Sequence, residues 1–349
     1  MGFAPLLAAS FEKSTDKKKA PSVESQLMKL NYPLAMQPKY DGVRVVCHPV
    51  YGVAKRKLEA VDNLDIRQKL TKFAPFYLDG EVVIVDESGE TMPFRDAQSA
   101  VARHEGVYNF RLMAFDCFRN HDAGFWQRYC NLKAWHEKYR ATGCTLVDLA
   151  PVQMAREYRS VLAYFERCLQ EGHEGCMLRS IDGYYKFGRS TLREQILIKM
   201  KPVEDAEAIV IGFEEMLSNT NTMERNALGL AKRGKSQAGL VPAGTLGKFL
   251  VRGVGGTFDG KEFAIGTGRG LTRQLRDEIW SGRESHLGHL DVKVGGVDVF
   301  QKNGAPKFRW WHLRTACAHP HPSGANGPVV QEPMATSWHC ARPSQWRLY

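Results

Sequence analysis

Between Leu34 and Lys201 the chain alternates short apolar runs with amphipathic stretches of a different period. Val43 to Cys47, Leu78 to Val85, Phe110 to Phe115 and Gln195 to Lys201 are apolar, partly β-branched runs bounded by turn residues, the pattern of strands. Leu132 to Tyr139 and Ser160 to Gln170 repeat at the helical period instead, and in the second Val161, Leu162, Phe165, Cys168 and Leu169 share one face. The mixture lacks a regular strand–helix repeat, so it predicts an α+β fold and not a doubly wound sheet.

After Lys201-Pro202 the pattern changes. Ala206 to Phe213, Leu246 to Arg252, Glu262 to Gly266, Leu290 to Val294 and Lys307 to Leu313 predict five strands, with a helix over Leu271 to Trp280 between the third and fourth. Such an order fits an OB-fold barrel, with another Greek-key barrel as the alternative. The expected organisation is one domain over 1–201 and an OB-type domain over 202–314, followed by a flexible tail over 315–349 rich in Pro, Gly, Ser and His. Between the first two barrel strands, residues 217–245 read as a polar, basic loop, and a loop that long is either functional or disordered.

Length, at 349 residues, allows two domains with proper cores, and 43% apolar with 25% charged residues is an ordinary globular balance. There is no apolar run of about 18 residues, so no membrane-spanning segment is expected. The apolar opening Phe3 to Ala9 is short and precedes its basic residues, the wrong order for a secretory signal. Eight scattered cysteines with no Cys-x-x-Cys pair suit reduced thiols, and the expectation is a cytoplasmic or virus-encoded intracellular monomer. Cys317, His319, His321, His339 and Cys340 match no standard zinc spacing. The net charge of +10 favours a polyanionic partner, and within 225–276 ten basic residues face only Asp259 and Glu262.

Candidate chemistry centres on Lys39-Tyr40-Asp41-Gly42-Val43-Arg44, where a lysine, a carboxylate and an arginine flank a glycine that permits a tight turn. A lysine amine titrates near ~10.4 and becomes a nucleophile only when its surroundings let it shed a proton. Four further segments carry placed charges: Leu78-Asp79-Gly80-Glu81, Leu112-Met113-Ala114-Phe115-Asp116, Glu174-Gly175-Cys176, and Ile196-Leu197-Ile198-Lys199-Met200-Lys201. In the last, strand alternation puts Lys199 and Lys201 on one face about 7 Å apart, an arrangement that calls for an anion such as phosphate.

This order resembles that of the covalent nucleotidyltransferases, which comprise ATP-dependent DNA ligases, RNA ligases and mRNA capping enzymes. Tyr184-Tyr185-Lys186-Phe187-Gly188-Arg189-Ser190-Thr191-Leu192, Lys199-Met200-Lys201, Asn219-Thr220-Asn221-Thr222 and Pro5-Leu6-Leu7-Ala8-Ala9 resemble the minimal DNA ligases of the chlorovirus type. The resemblance implies that Lys39 takes AMP from ATP as a covalent adduct, with Lys199 and Lys201 at the α-phosphate helping to keep Lys39 neutral. It implies Asp41, Glu81 and Glu174 as ligands of a divalent metal, Mg²⁺ by preference, Glu81 alternatively serving the ribose. Phe115 would stack on adenine beside Gln37, while Arg44, placed at the nucleotide, would join Arg56 and Arg189 on the 5′-phosphate of nicked duplex DNA. Arg225, Lys232, Arg233 and Lys235 would contact the duplex. The alternatives are an RNA ligase or a capping guanylyltransferase. Two motifs depart from the family: Lys55-Arg56 stands where Ser-Arg is usual, and Pro306 to Arg314 is one residue short, with Lys307 in place of arginine.

Overall fold

The structure is a computed structural model that describes residues 2–11, 21–202, 204–234, 236–266, 271–286, 290–297 and 310–315. Lys235, Lys307 and residues 316–349, with the histidines and cysteines of that stretch, lie outside the described residues.

Two mixed sheets build the first part of the chain. One has five strands in the order Ala9–Ser10, Leu197–Met200, Cys176–Ser180, Leu34–Pro38 and Gln153–Ala155. The other orders Gly52–Lys55, Val43–His48, Leu78–Ile84, Phe110–Cys117 and Val147–Leu149. Each sheet packs one face on its own core. In the first, Leu34, Met36, Leu178, Ile198 and Met200 meet the Tyr158–Gln170 helix through Val161, Phe165 and Cys168, a spacing of three and four that keeps them on one helical face. In the second, Val45, Val82, Leu112 and Ala114 pack with the Leu64–Thr71 helix through Ile66 and Leu70. That helix starts where Asn63 caps it, the side chain accepting from the Ile66 N–H at 2.9 Å.

Strand alternation then fixes what the opposite faces present. With Leu34 and Met36 inward, Gln37 points the other way; with Ile198 and Met200 inward, so does Lys199. Val43 pairs with Val82 and Arg44 with Glu81, which leaves Arg44 and Glu81 together on the face away from the core.

The second part is a five-stranded antiparallel sheet ordered Glu262–Gly266, Leu240–Val254, Glu204–Asn219, Leu290–Val297 and Trp310–Thr315. The Arg273–Ser281 helix, capped by Thr272, sits between the third and fourth strands in sequence, as the pattern predicts. Its Leu275 and Ile279 cover Val210, Phe249, Val251 and Ile265. Among the described residues the sheet is open, with Glu262–Gly266 and Trp310–Thr315 as its edges.

The expected loop at 217–245 is not a loop. Leu217, Ser218 and Asn219 pair with Pro242, Val241 and Leu240, prolonging the two long strands into a ribbon. A hairpin, Met223–Arg225 against Ala231–Arg233, continues it. The Asn219 amide donates to the Gly234 carbonyl at 2.9 Å and the Asn221 amide to that of Ser236 at 2.9 Å, so side chains brace what sequence alone marks as turn-rich. Among the described residues no helix is long and apolar enough to cross a membrane.

Candidate active site

Residues 39–42 carry the chain from the Leu34–Pro38 strand of one sheet to the Val43–His48 strand of the other. Lys39 therefore stands at the seam. Its N–H donates to the Gly175 carbonyl at 2.9 Å, and its carbonyl accepts from the Glu174 N–H at 3.0 Å. Gly175 has φ +140°, and a Cβ there would collide with the Met200 carbonyl, so this clasp on Lys39 requires glycine. Gly42 serves a different purpose from the one expected. Its φ is not left-handed; a Cβ would strike the Val82 carbonyl and the Glu81 side chain, so glycine is needed for close approach to the strand carrying Glu81.

The side chains converge on an open cleft of about 700 Å³. It is lined by Lys39, Asp41, Glu81, Glu174, Lys199 and Lys201, and also by Gln37, Arg44, Arg56, Phe115 and Arg189. Within it Glu174 bridges two lysines: Oε2 accepts from Lys39 Nζ, and Oε1 accepts from Lys201 Nζ at 3.0 Å. Burial pulls the Lys39 amine toward neutrality, but Glu174, Glu81 and Asp41 outweigh it and hold its pKa above the ordinary lysine value. The expectation that neighbouring lysines keep Lys39 neutral is thus reversed in the free protein. Lys201 is paired with the carboxylate that also holds Lys39, so its charge is offset at the nucleophile.

Burial pushes the Glu81 carboxyl up to about 7, against the pull of Lys39 and Arg44. A group so placed is relieved by a cation. Among the described residues, however, no three carboxylate, histidine or cysteine side chains converge closely enough to hold a metal by themselves. Asp41, Glu81 and Glu174 share the cleft without forming a closed set. Their hard oxygen donors fit Mg²⁺ in the manner usual for that ion, one or two carboxylates completed by substrate phosphates and water.

Phe115 reaches the cleft by strand alternation, since Leu112 and Ala114 face the core. Asp79 pairs with Asp116 and Gly80 with Ala114, which leaves Phe115 as the extra residue of a bulge. The insertion turns Asp116 off the core face as well and returns Cys117 to it. The half-buried Phe115 ring lies under two guanidinium groups, those of Arg44 at 5.3 Å and Arg179 at 5.5 Å from its centroid. Gln37, almost fully buried, donates to the Phe115 carbonyl at 3.1 Å and accepts from Arg179 Nε at 2.8 Å. Asp116, fully buried, receives Arg179 Nη1 at 2.9 Å and both Nε and Nη2 of Arg128, at 2.9 and 3.0 Å.

Arg44 is anchored on the buried Asp79, whose Oδ1 accepts from Nε at 2.9 Å and Oδ2 from Nη2 at 2.5 Å. Tyr185 adds its hydroxyl to Asp79 Oδ2 at 2.6 Å. Arg56 and Arg189 stand close by, since burial and then the charges of Arg189 and Arg44 lower the Arg56 pKa. Three like charges lining one wall are a site for an anion. Asp79, Asp116, Arg128, Arg179 and Tyr185 were given no role from sequence. Asp79, Asp116 and Tyr185 lie inside quoted motifs, and Arg179 stands five residues beyond Glu174.

The ribbon residues stand apart from the cleft lining. Arg225 donates to the Gly229 carbonyl at 2.7 Å and Arg233 to that of Asn221 at 2.8 Å, both within the ribbon. Lys232 pairs at 3.1 Å with Glu59 of the first part, three residues beyond Arg56.

Residues 17–201, more than half of the chain, match the ATP-dependent DNA ligase domain. The chain belongs to that family. A DNA ligase of Haloferax volcanii is 31% identical over 198 residues, covering 52% of this chain and 33% of the relative. The chain thus spans about a third of the length of that curated relative. Among solved structures, a Lig E DNA ligase is 21% identical and aligns over 90% of this chain and 100% of its own, with a TM-score of 0.58. The fold is the ligase one, a nucleotidyltransferase unit followed by an OB-type unit. A chlorella virus DNA ligase-adenylate covers 88% of this chain and 99% of its own at 26% identity, with a TM-score of 0.48.

Proposed function

We propose that the chain is an ATP-dependent DNA ligase that seals 5′-phosphate/3′-hydroxyl nicks in duplex DNA, with AMP carried on Lys39. The observation that carries this reading is the shared cleft. A lysine held by a carboxylate and a separate arginine cluster line one space, as a reaction handling two phosphate substrates in turn requires. The domain reading remains 1–201 for adenylation and 202–314 for the OB unit.

Lys39 Nζ bonds to the α-phosphorus of ATP while the bond from that phosphorus to the bridging oxygen breaks and pyrophosphate leaves. The amine must first lose a proton, which Glu174 Oε2, already accepting its hydrogen bond, passes on to solvent before the attack. Lys199 and Lys201 stand ready to take charge on the phosphate oxygens. A Mg²⁺ ion held by one or two of Asp41, Glu81 and Glu174 would supply further charge neutralisation. Phe115 and Gln37 supply a fixed platform for the base. The nick 5′-phosphate, placed by Arg44, Arg56 and Arg189, then attacks the lysyl-AMP phosphorus and frees Lys39. Attack by the 3′-hydroxyl on the 5′-phosphorus expels AMP. The ribbon, through Arg225, Lys232, Arg233 and Lys235, contacts the duplex through its phosphates and so without sequence preference.

A nick-sealing assay with ATP or GTP, on DNA or RNA strands, tests the reading; adduct formation with GTP alone would overturn it in favour of capping. Within the reaction, Arg189→Ala is expected to slow single-turnover sealing about tenfold or more while adenylylation falls much less. Equal loss in both would move Arg189 to the nucleotide. Adenylylation at fixed ATP and Mg²⁺ is expected to rise with pH. Two protons must leave below the Glu81 pKa of about 7 and one, from Lys39, above it. The logarithmic pH–rate slope should therefore fall from about two to about one near pH 7. A rate independent of pH would show that neither group limits the step.

A further inference from the structure

Two of the three arginines assigned to the nick phosphate, Arg44 and Arg189, are held by the first described residues of the chain. Residues 5–10 run as an extended strap along the cleft, with Leu7 and Ala8 in its lining. One edge of the strap joins the 188–190 segment: the Leu7 N–H donates to the Gly188 carbonyl at 2.7 Å, and the Leu7 carbonyl accepts from the Ser190 N–H at 2.8 Å. In an extended chain the neighbouring residues present their carbonyls to the opposite edge. There the Leu6 carbonyl accepts from Arg44 Nη1 at 2.6 Å, and the Ala8 carbonyl accepts from Arg189 Nη1 at 2.7 Å. The strap is itself secured. Leu6 is buried among Val46, Leu58, Tyr185 and Leu197, its N–H donates to the Tyr185 hydroxyl at 3.3 Å, and Ala9–Ser10 pair in parallel with Ile198 and Lys199.

We propose that this strap is a positioning element for the 5′-phosphate of the nick, its Leu6 and Ala8 carbonyls setting the separation and aim of Arg44 and Arg189. A flexible arginine loses rotamer freedom when it grips an anion, and a guanidinium already tied by one N–H to a fixed carbonyl has lost part of it beforehand. Arg189 is exposed, so the Ala8 carbonyl supplies what burial does not. Arg44 uses Nε and Nη2 on Asp79 and Nη1 on Leu6, fixing the plane of its fork. The inference rests on the nick-sealing reading and assigns backbone, not side chains, to phosphate selection.

The test uses the full chain, preloaded with AMP and assayed without divalent metal, binding nicks that carry either a 5′-phosphate or a 5′-hydroxyl. Leu7→Pro removes the N–H given to Gly188, and Tyr185→Phe keeps the buried ring but removes the hydroxyl that receives the Leu6 N–H. The preference for the phosphate nick is expected to fall about tenfold in both, by more than the adduct yield falls. A melting curve reports whether Leu7→Pro is folded; if it is not, Leu7→Gly, which loosens the strap and leaves Tyr185 and Asp79 untouched, takes its place. Undiminished preference in the folded variants overturns the strap, as does loss in Tyr185→Phe beside an unchanged, folded Leu7→Pro, which places the effect in Asp79. A wild-type protein that forms no adduct and shows no phosphate preference overturns the functional reading instead.

Discussion

Replacing Lys39 by alanine will eliminate the enzyme–AMP adduct, lowering its rate of formation by about four orders of magnitude or more, as removal of a covalent nucleophile does elsewhere. The fold will survive. The backbone bonds from residue 39 to Glu174 and Gly175 do not involve the side chain, and Glu174 keeps Lys201 at 3.0 Å. Lys39 is also 23% exposed at its side chain, so truncation opens no sealed cavity. Labelled ATP followed by a denaturing gel reads the adduct, and a melting curve reads the fold. An adduct of undiminished yield in the folded variant would remove Lys39 from the chemistry. Lys39→Arg is the informative companion: it keeps the positive charge on Glu174 but offers a guanidinium that stays protonated, so it should be equally inactive.

The second large effect concerns the ribbon. Because Asn219 pairs with Leu240, residues 220–239 can be replaced by an Asn-Gly turn without disturbing the sheet beneath. The excision removes Arg225, Lys232, Arg233 and Lys235 with Glu224, a net loss of three positive charges. If all four basic residues meet phosphates, the salt slope of nick binding shrinks by about 3.6 units, so that the loss of affinity between 50 and 200 mM salt is roughly 150-fold smaller and affinity falls most at low salt. Adenylylation should be spared, since the ribbon residues are absent from the cleft lining. Binding titrations across a salt series, beside adduct yield, decide the matter. Unchanged slope and affinity would show that the ribbon does not touch DNA.

Much of the fold was legible because its signals are local. Glu262–Gly266 matches its expected bounds, and the Arg273–Ser281 helix begins two residues later than expected because Thr272 is its cap. The strand expected to end at Phe115 continues to Cys117; the alternation breaks there because the bulge at Phe115 turns Asp116 off the core face. Leu34–Pro38 was not read as a strand, since it is buried on both faces and holds no β-branched residue. The ribbon was missed for the opposite reason. Met223–Arg225 and Ala231–Arg233 are exposed throughout, so no apolar alternation marks them. Among site residues, those clustered in short motifs could be found by spacing. Arg179 and Arg128 could not, because their roles rest on pairings such as Arg179 with Asp116, 63 positions apart. The charge state of Lys39 was likewise invisible, as it depends on Glu174, 135 positions away.

The crossover at residues 39–42 makes Lys39 a fulcrum. The two sheets, which the chain joins here and again through residues 150–152, can rock about it, and polar ties bind them across the gap, among them Arg44 to Leu6, Gln37 to Phe115 and Arg179 to Asp116. In such rocking, atoms at the pivot travel least and those at the far ends of the lever travel most. Lys39 and its clasp on Gly175 sit at the pivot, while Arg56 and Arg189 are borne on outlying turns of opposite sheets. Under the nick-sealing proposal, opening would thus spread the grip on sealed DNA before it disturbs the nucleotide pocket, letting the product go while the seat for the next ATP stays intact.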